Sequence, residues 1–221
     1  MANPTIKDLQ ESPEYELIAQ LSHNEIKDFV IDQLTQKGKI VRFYMFYQVA
    51  MILIGIFFLI RAIVLAFKDY FLPFWISLAA LIFSISLLII IHELLHGIAL
   101  KFTGAKKVNF GGYLKRFIFY AEADRHVLNR KQFAFIALAP LVTVQIVTLL
   151  GIGLSFHQPW VYFWITLMSA HSLFCAGDIA LLSLFYRERD SEVFTFDVKA
   201  EKTSYYFRRI IEEKNELKAY H

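Results

Sequence analysis

Four long apolar stretches dominate this chain and restrict its fold more than any other feature. They cover about residues 43–67, 72–100, 133–156 and 160–186, and the first of them contains a single charged residue, Arg61. A helix that crosses a lipid bilayer needs roughly 20 predominantly apolar residues. Each stretch reaches that length, so we expect four transmembrane helices.

The composition supports this interpretation. Of 221 residues, 57% are hydrophobic, 16% are aromatic and only 19% are charged, against about 25% charged in an average soluble domain. A disordered chain needs low hydrophobicity and high net charge, so that class is excluded. A soluble enzyme of this size could not hide so much apolar surface from water. We therefore predict an all-α integral membrane protein, in which an extended or β-hairpin loop on the cytoplasmic side separates helices two and three.

The basic residues are sorted to one side of the predicted helices. Of the 23 Lys and Arg residues, all except Arg61 and Lys68 fall before the first helix, between helices two and three, or after helix four. Because cytoplasmic loops are enriched in Lys and Arg, both termini and the long loop are expected to be cytoplasmic. The predicted location is the plasma membrane, which the chain crosses several times.

This topology divides the chain into three parts. Residues 1–40 form a cytoplasmic N-terminal arm, and residues 41–186 form the membrane domain. The membrane domain includes the cytoplasmic loop 101–132. A cytoplasmic tail of residues 187–221 follows.

Short structured elements are predicted in the soluble parts. The segment 108–121 is rich in Phe and Tyr and contains Gly111 and Gly112, which indicates an extended or hairpin structure, and segment 193–198 is a candidate strand. The arm contains an amphipathic helix, which either lies on the membrane surface or against the loop, or packs within the cytosolic part. Its apolar face is formed by Ile26, Phe29, Val30 and Leu34, and Gly38 ends it.

Ionisable residues inside two of the apolar stretches are the chemical anomaly of the sequence. Such residues are costly in a membrane and usually mark a functional site. With one cysteine, Cys175, the sequence excludes a Cys-rich zinc or iron–sulfur site. The anomalous residues are His92, Glu93 and His96 in the second stretch and His171 and Asp178 in the fourth.

Residues 92–96 form a His-Glu-x-x-His motif. On a helix, His92 and His96 lie one turn apart on the same face, so both imidazoles can bind one metal ion. Zinc accepts imidazole nitrogens in a tetrahedral site and leaves a position for water. Glu93 is then the expected general base, which takes a proton from that water. The alternative is that these buried side chains merely satisfy one another.

A third zinc ligand is needed, and three residues are candidates. The His that some zinc proteases carry six residues after the motif is replaced by Phe102. Asp178 is favoured because it lies eight residues from the cytoplasmic end of its helix, as His92 does, which places both about 12 Å from that boundary at a rise of about 1.5 Å per residue. Glu122, at a suitable distance along the chain, and His171 remain alternatives.

His171 and Pro140 are expected to border the site. His171 lies two helical turns before Asp178, so it can bond that carboxylate, donate to a substrate carbonyl, or line a polar cavity. Pro140 lies at a similar depth in helix three, where it frees the carbonyl of Ile136 and bends the helix. Such a bend either borders a cavity or is a packing kink. Gly111 and Gly112 are further candidates for substrate contact.

At this point the residues resemble a known family. The segments 92–97, 110–120 and 137–140 and the pair Gly177-Asp178 are similar to motifs of small bacterial membrane proteins grouped as putative zincin peptidases. That group is itself similar to the site-2 protease family of intramembrane zinc metalloproteases. The resemblance covers about residues 86–198. The first motif is specific, and the others gain weight from their order.

The resemblance implies roles for individual residues. His92, His96 and Asp178 would bind one zinc ion, Glu93 would be the general base, and the extended loop would present an unwound substrate segment. The chain departs from site-2 proteases in carrying Gly-Asp instead of Asp-Gly, in lacking the Asn-Pro motif, and in having no PDZ or CBS domain.

The expected function is therefore that of a zinc-dependent endopeptidase that acts near the cytoplasmic face. Its expected partners are the lipid bilayer and a membrane protein or membrane-associated peptide as substrate, with no nucleic acid. The alternative is a membrane metal-binding protein, transporter or scaffold without protease activity. The presence of Glu93 distinguishes the two, because a metal store needs the ligands but not the base. A membrane di-iron oxidase would need a second Glu-x-x-His motif, which the sequence lacks.

Overall fold

The computed structural model describes residues 3–22, 25–35, 38–113, 118–187 and 191–210. The turn of the predicted hairpin at 114–117 and the predicted tail beyond residue 210 lie outside the described residues. In chain order, the described helices are α1 Ile6–Glu11, α2 Ile26–Thr35, α3 Lys39–Ala66, α4 Leu72–Ile85, α5 Leu87–Phe102, α6 Arg130–Leu154, α7 Val161–Phe174 and α8 Ala176–Arg187. The described strands are β1 Tyr15–Ser22, β2 Asn109–Tyr113, β3 Ile118–Glu122, β4 Leu128–Asn129, β5 Val193–Val198 and β6 Thr203–Arg209.

The prediction of an all-α protein is wrong, because the chain also forms two antiparallel sheets. One has four strands in the order β1-β6-β5-β4, and the other is the two-stranded hairpin β2-β3. The hairpin and the strand at 193–198 were expected. The larger sheet was missed because β1 shows no clear alternation of apolar and polar residues and its partner lies almost at the other end of the described chain, with Tyr15 opposite Arg209.

Two of the four apolar stretches are continuous helices and two are broken. Helices α3 and α6 are each long and apolar enough to cross a membrane, whereas α4 and α5 meet at a bend of 45° and α7 and α8 at a bend of 46°. Each bent pair counts as one further span if it crosses as a unit. The first break lies at Ser86, whose backbone leaves the helical region and whose hydroxyl donates to the carbonyl of Ile82 at 2.6 Å.

Apolar side chains cover the outside of these helices. Along α3, the residues with little exposure are only Val41, Tyr44, Gln48 and Ala62, while Phe43 is 79% exposed. Soluble monomers rarely expose contiguous apolar surface on this scale. The exposed faces are consistent with membrane association.

The four-stranded sheet packs against the end of α8. Phe185 of α8 is fully buried, stacks on Phe133 with ring centroids 4.5 Å apart, and meets the edge of Tyr206 in β6. The amphipathic helix α2 also contacts α8, through a hydrogen bond of 3.2 Å from Ser183 to Gln33. Helix α2 therefore packs against another helix, and α8 is held from two sides.

Candidate metal centre

Helix α5 carries the His-Glu-x-x-His motif on its inner face. His92 and His96 lie one turn apart, and both side chains are buried. Their Nε2 atoms approach to 3.1 Å, so the two rings point toward one spot. This part of the arrangement follows from helical spacing alone.

Asp178 completes the cluster from α8. Its Oδ2 lies 3.2 Å from Nε2 of His92, and its Oδ1 lies 3.2 Å from Nε2 of His96. Asp178 stands in the first turn of α8, directly after the break that ends α7 at Cys175. The bend of 46° at this break therefore sets the direction in which the carboxylate-bearing helix leaves α7.

The donor atoms suit a zinc ion. Zinc binds imidazole nitrogens and carboxylate oxygens at about 2.0–2.2 Å in a tetrahedron, which separates neighbouring ligand atoms by roughly 3.3–3.5 Å. The donor atoms of His92, His96 and Asp178 are slightly closer than this, at 3.1–3.2 Å. Oδ2 of Asp178 is buried, and among the described residues it has no polar contact other than the imidazole of His92 at 3.2 Å. A carboxylate oxygen that is buried beside histidine nitrogens favours a bound cation, because buried polar atoms need partners.

Glu93 lies beside the cluster on the same helix. Its side chain is half-buried, and its Oε2 is also buried without a hydrogen-bond partner among the described residues. Such a carboxylate is available to a water molecule or a substrate group at the cluster. Its position is compatible with a general base.

His171, on α7, contacts His92 at the ring nitrogen that does not face Asp178. Its Nε2 lies 3.1 Å from Nδ1 of His92, and its side chain is fully buried. The roles predicted for His171 did not include this contact with Nδ1 of His92. Sulfur of Cys175 lies 3.7 Å from Nδ1 of His171, and a second group of three potential ligands is formed by His92, His171 and Cys175.

His96 has a corresponding partner on α6. Its Nδ1 lies 2.9 Å from the carbonyl oxygen of Ile136, four residues before Pro140. The freed carbonyl was predicted from the sequence, but the group that it meets was not. The proline was the available signal, because a carbonyl without its helical donor needs another partner when it is buried.

The β2-β3 hairpin lies against α5 beside the histidines. A side chain at Gly97 would meet the ring of Phe110 at 2.5 Å, so this glycine lets β2 approach the helix. Within the hairpin, Gly111 pairs with Tyr120, whose ring fills the space beside it, and Gly112 pairs with Phe119. The two glycines thus help to shape the hairpin, and the motif glycine connects it to the histidine helix.

Glu122, the alternative third ligand, is placed elsewhere. It pairs with Asn109 at the end of the hairpin opposite to the pair Tyr113 and Ile118. Burial raises the pKa of its carboxyl, as does the nearby Asp197, while Lys199 opposes the shift. Within the described residues, the groups close enough to share an ion with His92 and His96 include Asp178 and not Glu122.

Comparison with known proteins finds one family match, over the segment that carries the metal centre. The model of a family described as "Putative zincin peptidase" matches residues 85–193. This segment contains both motif histidines and Asp178. Over these residues the chain matches this family. The zincin description is that of a zinc metallopeptidase and implies zinc as the metal. No match was found among curated proteins or among solved structures.

Proposed function

We propose that this protein is a membrane-embedded, zinc-dependent endopeptidase that hydrolyses peptide bonds near the cytoplasmic face. The observation that carries the proposal is the convergence of two imidazole nitrogens and one carboxylate from α5 and α8, within 3.2 Å of one another and beside Glu93. His92, His96 and Asp178 would hold the single zinc ion. The proposed substrates are membrane proteins or membrane-associated peptides.

The chemistry divides between the ion and the chain. When bound, zinc lowers the pKa of water and polarises a carbonyl group. Glu93 accepts a proton from the attacking water at its carboxylate and then donates it to the nitrogen of the leaving amine. His171 holds His92 from the far side of its ring. The buried surroundings exclude bulk water and strengthen these polar interactions.

The proposed membrane position rests on two features of the chain. Exposed apolar side chains cover α3, where Phe46 is 73% and Phe57 is 61% exposed. The basic residues, with the exceptions of Arg61 and Lys68, belong to the arm, the loop and the tail. The positive-inside rule then places both termini and the β2-β3 hairpin in the cytoplasm, and α5 and α8 both end on that side.

The hairpin is the proposed contact for the substrate. A peptide bond within a helix is shielded by its own hydrogen bonds, so a membrane segment must become extended before water can attack it. Strands β2 and β3 form an isolated two-stranded sheet beside α5, and such edges offer backbone groups to an extended peptide. This supports cleavage of unwound segments rather than of intact helices.

Replacement of Glu93 by Gln tests the mechanism. The variant keeps the shape and the zinc ligands but cannot accept the proton, so cleavage should fall by roughly 10²- to 10⁴-fold while bound zinc stays near one ion per chain. The assay is cleavage of a labelled single-span peptide in proteoliposomes, with zinc measured on the same protein. Glu11→Gln, on the exposed face of α1, is the matched control.

The outcomes separate the two functional hypotheses. If Glu93→Gln cleaves as fast as the wild type, the hydrolytic mechanism is wrong. If the wild type binds zinc but cleaves neither this peptide nor a panel of membrane peptides, the protein acts as a metal-binding protein, transporter or scaffold.

A further inference from the structure

Pro140 stands inside α6 and removes one hydrogen bond from it. A proline has no amide hydrogen, so residue 140 cannot donate to the carbonyl of Ile136, as a helical residue at that position otherwise would. Both residues are buried. The carbonyl of Ile136 therefore requires a partner outside the regular helical pattern.

That partner is a zinc-site histidine. Nδ1 of His96 lies 2.9 Å from the carbonyl oxygen of Ile136, 40 residues away in sequence. A carbonyl oxygen only accepts hydrogen bonds, so Nδ1 must carry the hydrogen and donate it. Nε2 of His96 is then left without a hydrogen, and this is the atom that faces Asp178 and His92.

We propose that Pro140 is a positioning residue for the metal centre. Because it withholds an amide hydrogen, it leaves the carbonyl of Ile136 free to hold His96 in the tautomer and orientation that zinc binding requires. This inference rests on the proposed zinc site and adds to it the reason for a proline in α6. Partners of this kind on metal-binding histidines commonly change metal affinity by about 10- to 100-fold.

The other motif histidine is held differently. His92 contacts the side chain of His171 on α7, whereas His96 contacts the backbone of α6. A side-chain partner can be removed by substitution of that residue. A backbone carbonyl cannot, and it is fully available when the residue four positions later has no amide hydrogen to give.

The test is to return the amide hydrogen to residue 140. Pro140→Ala and Pro140→Gly both restore it, and the restored donor competes with His96 for the carbonyl of Ile136. We expect both variants to bind zinc 10- to 100-fold more weakly, as measured by chelator competition on purified full-length protein. The visible absorption spectrum of the cobalt(II) form should change in both, because it reports the ligand geometry.

The two replacements also separate this role from a structural one. Both replacements favour a helix more than proline does, and alanine favours it more than glycine, so a purely structural role predicts a higher melting temperature of the zinc-free protein for Pro140→Ala than for Pro140→Gly, with zinc affinity in the same order. Weaker zinc binding in both variants, with no lower melting temperature for Pro140→Ala, supports the proposal. Pro73→Ala is the matched control, because Pro73 lies in the first turn of α4, where an amide has no helical acceptor. Its zinc affinity should equal that of the wild type.

Two results would overturn the inference. One is wild-type zinc affinity in Pro140→Ala, and the other is a loss of affinity in Pro140→Gly alone, in proportion to the difference between its melting temperature and that of Pro140→Ala. Failure of the proposed function is distinguishable, since in that case the wild-type protein itself binds no zinc or Glu93→Gln remains active.

Discussion

Two parts of the molecule are built in opposite ways. We call the helices α3 to α8 the helical half, and we call α1, β1, β4, β5 and β6 together the sheet half. The helical half exposes large apolar side chains and buries polar ones, among them His171, Ser172 and Thr148. The sheet half buries Phe196 and Phe207. It carries its ion pairs at the surface, where Arg208 meets Glu16 at 2.6 Å and Arg209 meets Glu192 at 2.9 Å.

This difference shows where a buried polar group needs a functional explanation. In the sheet half, buried polar groups find local partners, as the hydroxyl of Thr195 does in the carbonyl of Tyr205 at 2.9 Å. In the helical half, Oε2 of Glu93 is buried with no hydrogen-bond partner among the described residues, and Oδ2 of Asp178 faces an imidazole of the metal-site cluster at 3.2 Å rather than a donor outside it. Their burial lowers stability, so we expect substitutions there to affect function more than folding.

Asp178→Asn should have the largest effect and tests this contrast directly. The neutral amide is a poor zinc ligand, so we expect zinc affinity to fall by more than about 100-fold and cleavage to be lost. The melting temperature of the zinc-free protein should change little, because Asn has the same shape and still offers an oxygen to the imidazoles that lie 3.2 Å from the carboxylate. Zinc stoichiometry, cleavage and zinc-free melting temperature are the measurements.

Asp69→Asn is the control for this substitution, because Asp69 lies between α3 and α4 with φ of 63°, a conformation that Asn tolerates equally well. Unchanged zinc binding in Asp178→Asn would remove Asp178 as a ligand. A large loss of zinc-free stability would contradict the contrast between the two halves.

Gly97→Ala should have an intermediate effect at the contact between α5 and the hairpin. The new methyl group would meet the ring of Phe110 at 2.5 Å, so the hairpin must shift away from the helix. Such overpacking typically costs about 1–3 kcal/mol. If this cost is paid when the hairpin positions the substrate, cleavage should be slower by roughly 5- to 150-fold. Zinc content should stay unchanged, since the ligands are not displaced.

Gly153→Ala is the matched control, because a side chain at that position of α6 meets nothing within 4 Å. Equal cleavage by Gly97→Ala and Gly153→Ala would show that the hairpin takes no part in the reaction.

Asp197→Asn should have the smallest effect and should change stability alone. Burial raises the pKa of Asp197, as does Asp124, against the opposing hydrogen bond from Ser204. An acid whose folded-state pKa is raised loses stability as pH rises from its unfolded value, about 4, through the folded one. The variant cannot ionise, so its melting temperature should exceed that of the wild type at pH 7.5 and match it at low pH.

Asp8→Asn should behave in the opposite way. Hydrogen bonds from Thr5 lower the pKa of Asp8, so its stabilising contribution is present at neutral pH and is lost as pH falls through the folded-state value. The same melting series at pH 3.5 to 7.5 measures both variants, and cleavage should be unchanged in each. If the difference in melting temperature from the wild type changed with pH in the same direction for both variants, the opposite pKa shifts of Asp8 and Asp197 would be contradicted.

The features that the sequence predicted correctly are those that depend on neighbouring residues. The apolar stretches, the helix α2 and the hairpin β2-β3 follow from local composition and periodicity. The pairing of His92 with His96 follows from one turn of helix. The large sheet could not be predicted in this way, because β1 and β6 meet only when the two ends of the described chain come together.

The sequence by itself determined which side chains are chemically unusual, because charge in an apolar stretch is visible without any coordinates. Only the tertiary structure decided which of them meet. Asp178 and Glu122 were both possible third ligands, and the bend between α7 and α8 and the packing of α8 on the sheet place Asp178 beside the histidines. The contacts that orient His92 and His96 span 79 and 40 residues of sequence. Interactions across such separations depend on how whole helices pack, which no local pattern encodes.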